Sequence, residues 1–341
     1  MKKCMSKTLA LLGAGLLALA GCSDATVPAA HSGSGEASPA DNASITVGLT
    51  YVPDVQFAPL YVAAEKGYFT KHGVNVTLRH HGAQESLLGA LAAGEEDIVF
   101  AGGDEMLQGR STGIDVVNWA TMYQRYPAVL IVSEDSGVTS WEDMAGKTVG
   151  LPGEYGENYY GLLAALKDHN LEGKVTVKSI GYTQTAAVQN KQVDGVIGFE
   201  NNDVIAMENA GLKVRVIPLV SGDLPLIGVG FGSLSTNIRP QVYKEFLAAV
   251  YEGVQSAKQD PEATLTITAK QVPSLTDPDK RAVAKKVLDA TLKLYEGSST
   301  FGQQDGAKWD AMAQFMLDQG LIKQAVPAKE AFTTDVVSAQ E

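Results

Sequence analysis

The chain has 341 residues, 45% of them hydrophobic and 19% charged, with 35 glycines, 13 prolines, two cysteines and a formal charge of −12. That is long and apolar enough for two ordinary cores, and it excludes a disordered chain. The acidic balance excludes the basic face that a nucleic-acid binder needs, and two cysteines make neither a disulfide framework nor a zinc cluster.

Lys2, Lys3 and Lys7 precede an uncharged, Leu- and Ala-rich run from Thr8 to Ala20. A membrane-spanning helix takes about 20 apolar residues, so this shorter run reads as the apolar part of a secretory signal over 1–21. It ends in Leu19-Ala20-Gly21-Cys22, which resembles the bacterial lipobox. The resemblance implies cleavage before Cys22 and acylation of its thiol, leaving a mature chain of charge −15 once the three lysines are gone. From Ser23 to Ser44 only Val27 is both bulky and apolar. Such a segment cannot offset its ordering entropy by burial, so 22–44 is expected to be a tether with a reach of about 25 Å.

From Ile45 onward the chain alternates strand-like and helix-like stretches, and one pattern occurs twice. Thr46-Val47-Gly48-Leu49 returns as Thr148-Val149-Gly150-Leu151. Each copy leads through a loop into an Ala-rich segment, 58–66 or 159–168, and then into a β-branched run, 74–78 or 175–180. A second helical stretch then gives way to Ile98-Val99-Phe100 in one copy and Val196-Ile197 in the other. The pattern predicts two βαβαβ lobes, at 45–134 and 135–221, with 222–326 returning to the first lobe. Helical spacing is read at 240–257, 279–296 and 307–317, punctuated by Asp260-Pro261 and Asp277-Pro278; 327–341 shows no strong pattern and is expected to be a loose tail. Open parallel sheets bind ligands at the carboxyl ends of their strands, so the loops of two facing lobes are expected to line one cleft.

Catalytic motifs are mostly absent. Gly146-Lys147-Thr148 imitates the end of a phosphate-binding loop, but Trp141 stands where that motif needs glycine. Neither Gly-x-Ser-x-Gly nor His-Glu-x-x-His occurs. His80 and His81 are adjacent, and neighbours on a strand point to opposite faces, so no metal site is expected there. The loops instead hold aromatics, amides and carboxylates: Tyr51, Asp54, Gln56 and Phe57 after the first strand; Asp104 and Glu105 after the third; Tyr123 and Tyr126 between the lobes; and Tyr155, Tyr159, Glu200 and Asn201 in the second lobe. Flat faces beside a few polar groups suit a planar ring with hydrogen-bonding edges. Asp104, Glu105 and Glu200 would accept from ring N–H groups and repel an anion, unless Arg125 offsets them.

From Tyr51-Val52-Pro53-Asp54-Val55-Gln56-Phe57-Ala58-Pro59 on to Glu65-Lys66-Gly67-Tyr68-Phe69, the chain resembles substrate-binding proteins of the NMT1/THI5-like group. Asp143-Met144-Ala145-Gly146-Lys147-Thr148-Val149-Gly150 resembles the start of that family's second lobe. The resemblance implies an α/β periplasmic-binding-protein fold of two lobes that close on a ligand, and an ABC permease as partner. The Pro-Asp-Val-Gln-Phe-Ala-Pro form is most similar to riboflavin-type receptors, with thiamine-pyrimidine receptors next. Sulfonate or taurine receptors of the group need donors for an anion, which the acidic loops disfavour. The group's pyrimidine synthases carry a cysteine-rich motif that this chain lacks. The resulting expectation is a monomeric receptor, lipid-anchored outside the cytoplasm through Cys22. It would bind a nitrogen heterocycle, riboflavin or a thiamine pyrimidine precursor, without cofactor, metal, nucleic acid or catalysis.

Overall fold

The computed structural model describes residues 43–82 and 85–338. The expected signal peptide, the cysteine expected to be lipidated, Cys22, and nearly all of the expected tether lie outside the described residues.

Among the described residues, ten strands form two sheets. β1 (Ala43–Leu49), β2 (Val74–His80), β3 (Ile98–Gly102), β4 (Val116–Thr121) and β10 (Val229–Leu234) make the first, in the order β2-β1-β3-β10-β4. β5 (Ala128–Ser133), β6 (Thr148–Leu151), β7 (Thr176–Ser179), β8 (Gly195–Phe199) and β9 (Val214–Ile217) make the second, in the order β7-β6-β8-β5-β9. The two orders are the same plan. In each, three parallel strands are followed by one antiparallel strand, β10 in the first sheet and β5 in the second, and each of these is the strand by which the chain enters that sheet from the other. The repeat extends to hydrogen bonds. Thr46 N donates to Asp97 Oδ2 and Thr148 N to Asp194 Oδ2, both at 2.8 Å, tying the first strand of each lobe to the start of the third.

β5 corrects the expected lobe boundary. It pairs with β8 and β9 of the second sheet, so the chain crosses before Ala128 and not at residue 134. Its five buried apolar residues look the same from sequence whichever sheet they complete.

The largest core lies beneath the first sheet, where the helix Ala58–Glu65 packs on the helix Pro240–Gln259, and where Phe69 stacks on Phe246 at 5.3 Å. The aspartate-proline pairs act as helix starts. Asp260 and Asp277 accept from first-turn N–H groups, and the proline that follows each stands at the first helical position, where no N–H is missed. The expected tail is also corrected, since residues 328–337 pack. Phe332 stacks on Trp309 at 5.4 Å and bridges β4 at Asn118, while Ala331 and Val336 are buried. The two helices there are four residues each, too short to show a period in the sequence.

Candidate ligand-binding cleft

A cleft of about 600 Å³ opens at the carboxyl ends of the parallel strands and takes its walls from both lobes. On the first-lobe side Asp54 caps the turn Val55–Phe57, its Oδ1 accepting from Gln56 N at 3.1 Å. That cap throws Phe57 inward, where its ring meets Phe100 edge-on at 6.1 Å and His80 at 5.4 Å. His80 is held in turn by the Tyr61 hydroxyl at 2.9 Å, and burial pulls its imidazole pKa down. Tyr51 and Gln56 complete this wall.

The second-lobe wall is built differently. Tyr155 and Tyr182 stand 56% and 67% exposed, and Tyr182 faces Tyr51, itself 40% exposed, at 6.5 Å across the opening. The helix Gly156–Asp168 begins at the cleft and presents Glu157 and Asn158 from its first turn. Asp203 opens the helix Asp203–Asn209; its Oδ2 accepts from Phe199 N at 2.7 Å, and burial pushes its carboxyl pKa up.

Between these walls the first turn of the helix Gly103–Ser111 brings in Asp104 and Glu105. Glu105 Oε2 accepts from Gly102 N at 3.0 Å and lines the cleft. Asp104 lies fully buried behind it, accepting from Glu105 N at 2.7 Å and from the Tyr126 hydroxyl at 2.6 Å. Burial raises all three carboxyls, Asp104, Glu105 and Glu157, above the usual carboxylate range, and the charge of Glu105 raises Asp104 further.

Of the residues expected from sequence, Tyr51, Gln56, Phe57, Glu105 and Tyr155 line the cleft. The others stand elsewhere. Asp54 is the cap behind Phe57, and Asp104 and Tyr126 bond each other beneath the wall. Tyr123 is core, packed edge-on against Phe100 and Tyr295, because the segment that joins the lobes is covered on both sides. Tyr159 leans on the apolar cores of the second lobe. Glu200 points outward 3.7 Å from Arg125, and Asn201 is buried, donating to Thr291 Oγ1 at 2.9 Å. A short polar run at a strand end gives no sign of which side chains turn inward. Glu157, Asn158, Tyr182 and Asp203 were missed. The internal repeat gives no signal for Tyr182, since His81, which follows β2 as Tyr182 follows β7, is buried against Glu96.

A family model described as "NMT1/THI5 like" matches residues 54–264. The chain belongs to this family. A riboflavin-binding protein, RibY, of Chloroflexus aurantiacus is 30% identical over 94% of this chain and 95% of its own length. A 4-amino-5-hydroxymethyl-2-methylpyrimidine phosphate synthase of Legionella pneumophila is 22% identical, covering 85% of this chain and 90% of its own. Among solved structures, the periplasmic aliphatic sulphonate binding protein SsuA of Escherichia coli superposes with a TM-score of 0.68 at 17% identity, over 84% of this chain and 91% of that one. The NMT1/THI5-like chain therefore has the two-lobe periplasmic-binding-protein fold, as its resemblance implied.

Proposed function

We propose that this protein is the extracytoplasmic solute-binding receptor of an ABC importer, held to the membrane through Cys22, and that its ligand is a planar nitrogen heterocycle, riboflavin in the first instance. The observation that carries the reading is the composition of the cleft. Aromatic faces come from both lobes, Phe57 and Tyr51 from one and Tyr155 and Tyr182 from the other, with carboxyl and amide oxygens set between them. A flat ring gains from stacking on such faces, and acceptor oxygens match N–H and O–H groups on its edge. The RibY relative, similar over nearly the whole chain, supports riboflavin over a smaller pyrimidine. Ligand contacts with both lobes would favour closure, which a permease could read.

The synthase among the relatives raises a second reading, an enzyme of pyrimidine synthesis. Against it stands the sequence, in which Cys4 and Cys22 are the only thiols. Calorimetric titration of the full-length chain with riboflavin, a formylated aminopyrimidine and an alkanesulfonate tests the receptor reading. Binding of riboflavin at micromolar or tighter affinity, with no product formed, is the expected result. Affinity no tighter than millimolar for all three would overturn it.

A further inference from the structure

Three carboxyls crowd one point where the lobes meet. A methyl group added at Gly102 would lie 2.5 Å from Asp104 Oδ1, 3.1 Å from Glu105 Oε2 and 3.3 Å from Glu157 Cγ, so glycine is what lets the three approach. They come from two helices, Asp104 and Glu105 from one lobe and Glu157 from the other. Asp104 is satisfied by Tyr126 and by the Glu105 N–H. Glu157 is not. It is only 7% exposed, it lines the cleft, and its Oε1 finds no hydrogen-bond partner among the described residues, nor does the neighbouring Asn158 Oδ1.

Among the described residues no compensating cation stands beside them. The other titratable groups that face the cluster are the phenols of Tyr126 from the inter-lobe segment, Tyr160 from the Glu157 helix, Tyr123 from the core and Tyr182 across the opening. Arg125 is turned away towards Glu200. A buried acceptor without a donor costs free energy, and a donor on the ligand would recover it. A ligand anion would instead meet like charge in a poorly hydrated wall, or would have to bring protons with it.

We propose that Glu105 and Glu157, backed by Asp104, form an anion-excluding subsite: it takes the N–H or O–H donors of an uncharged ligand and turns away the same ligand carrying a phosphate or sulfonate. This rests on the heterocycle reading above and adds to it a rule of selection. Burial holds these carboxyls above their ordinary pKa, with the neighbouring carboxylates adding to it at Asp104 and Glu157, so exclusion of an anion strengthens as pH rises and they ionise.

Riboflavin and riboflavin 5′-phosphate differ by the charged group alone and serve as the probes, titrated by flavin fluorescence against the full-length chain. Between pH 7 and 9 the phosphate charge is nearly constant, its second pKa being about 6. The expected result is riboflavin binding about 100-fold tighter than its phosphate at pH 8. In Glu157→Gln and in the Glu105→Gln/Glu157→Gln pair the ratio should fall at least tenfold. Equal affinities in the unaltered protein, or a ratio the substitutions leave unchanged, would overturn the subsite while leaving the receptor reading standing. If neither flavin binds, the heterocycle reading fails and the subsite with it. Should the substituted chains lose their fold by circular dichroism, the ratio in the unaltered protein decides.

Discussion

Thr46 N and Thr148 N make the same 2.8 Å bond to aspartates at equivalent places in the two lobes, and the two sheets share one strand order, yet the lobes finish their halves of the cleft in opposite ways. Beside the half-exposed Tyr51, the first lobe offers rings that are already packed. Phe57 is buried against Phe100, His80 and Tyr61, and the turn that aims it is capped. The second lobe offers groups that are unfinished, two largely exposed tyrosines and two buried oxygens that find no partner among the described residues. The difference teaches how one duplicated plan can divide labour. A preformed wall gives a ligand a surface at little ordering cost, while an unsatisfied wall gains most when the ligand arrives.

The largest expected effect tests the preformed side. Phe57→Ala should cost about 3–5 kcal/mol of folding stability, since it deletes a buried ring that three others pack against. Urea unfolding followed by circular dichroism checks it. A loss below about 1 kcal/mol would mean that the first-lobe wall is not part of the core at all, and the contrast between lobes would break.

A smaller effect is expected opposite. Tyr182→Ala removes a side chain that is 67% exposed, so stability should change by no more than about 0.5 kcal/mol. Affinity for riboflavin should nevertheless drop about two- to tenfold, the worth of one stacked ring at about 0.5–1.5 kcal/mol. Equal losses of stability in this variant and in Phe57→Ala would erase the division of labour. A stable variant with unchanged affinity would take Tyr182 out of the site.

How much of this the sequence discloses follows from what repeats and what folds back. Thr46-Val47-Gly48-Leu49 and its copy announce the duplicated lobes, because strand and helix periods are local properties of the chain. The Pro-Asp-Val-Gln-Phe block, which carries the family resemblance, also places Gln56 and Phe57 in the wall. β5 misleads because an apolar strand says nothing about which sheet completes it. Tyr123 and Asn201 mislead for a related reason, since the helix Pro278–Leu294 and the turn after it, which carry Thr291 and Tyr295, cover them from some 90 to 170 residues away. Glu157 was invisible because its significance lies in what it lacks, a partner, and only the packed structure shows that.

The smallest effect concerns a clamp that only the first lobe carries, well away from the cleft. His72 closes the short helix Tyr68–Lys71 and reaches the helix Pro240–Gln259, with Nδ1 2.9 Å from Glu245 Oε2 and Nε2 2.8 Å from Glu252 Oε1; Lys71 shares Glu252 at 2.8 Å. Both ring nitrogens can donate at once only in the imidazolium form. Burial pulls the imidazole pKa down, but the hydrogen bonds to Glu245 and Glu252 outweigh it and hold the pKa above its ordinary value. A raised folded pKa means that the folded chain binds the proton more tightly. The stabilisation is therefore fully present below the unfolded value of about 6.5 and is lost as pH rises through the folded value. For so accessible a pair it should amount to no more than about 1 kcal/mol. His72→Gln should thus be less stable than the unaltered protein at pH 6 and indistinguishable from it at pH 9 in urea titrations, with riboflavin affinity unchanged at both. A deficit of the same size at the two pH values would show that His72 works as a neutral hydrogen-bonding group. Changed affinity would show that the back of the first lobe is coupled to its cleft wall, and the wall would then not be preformed.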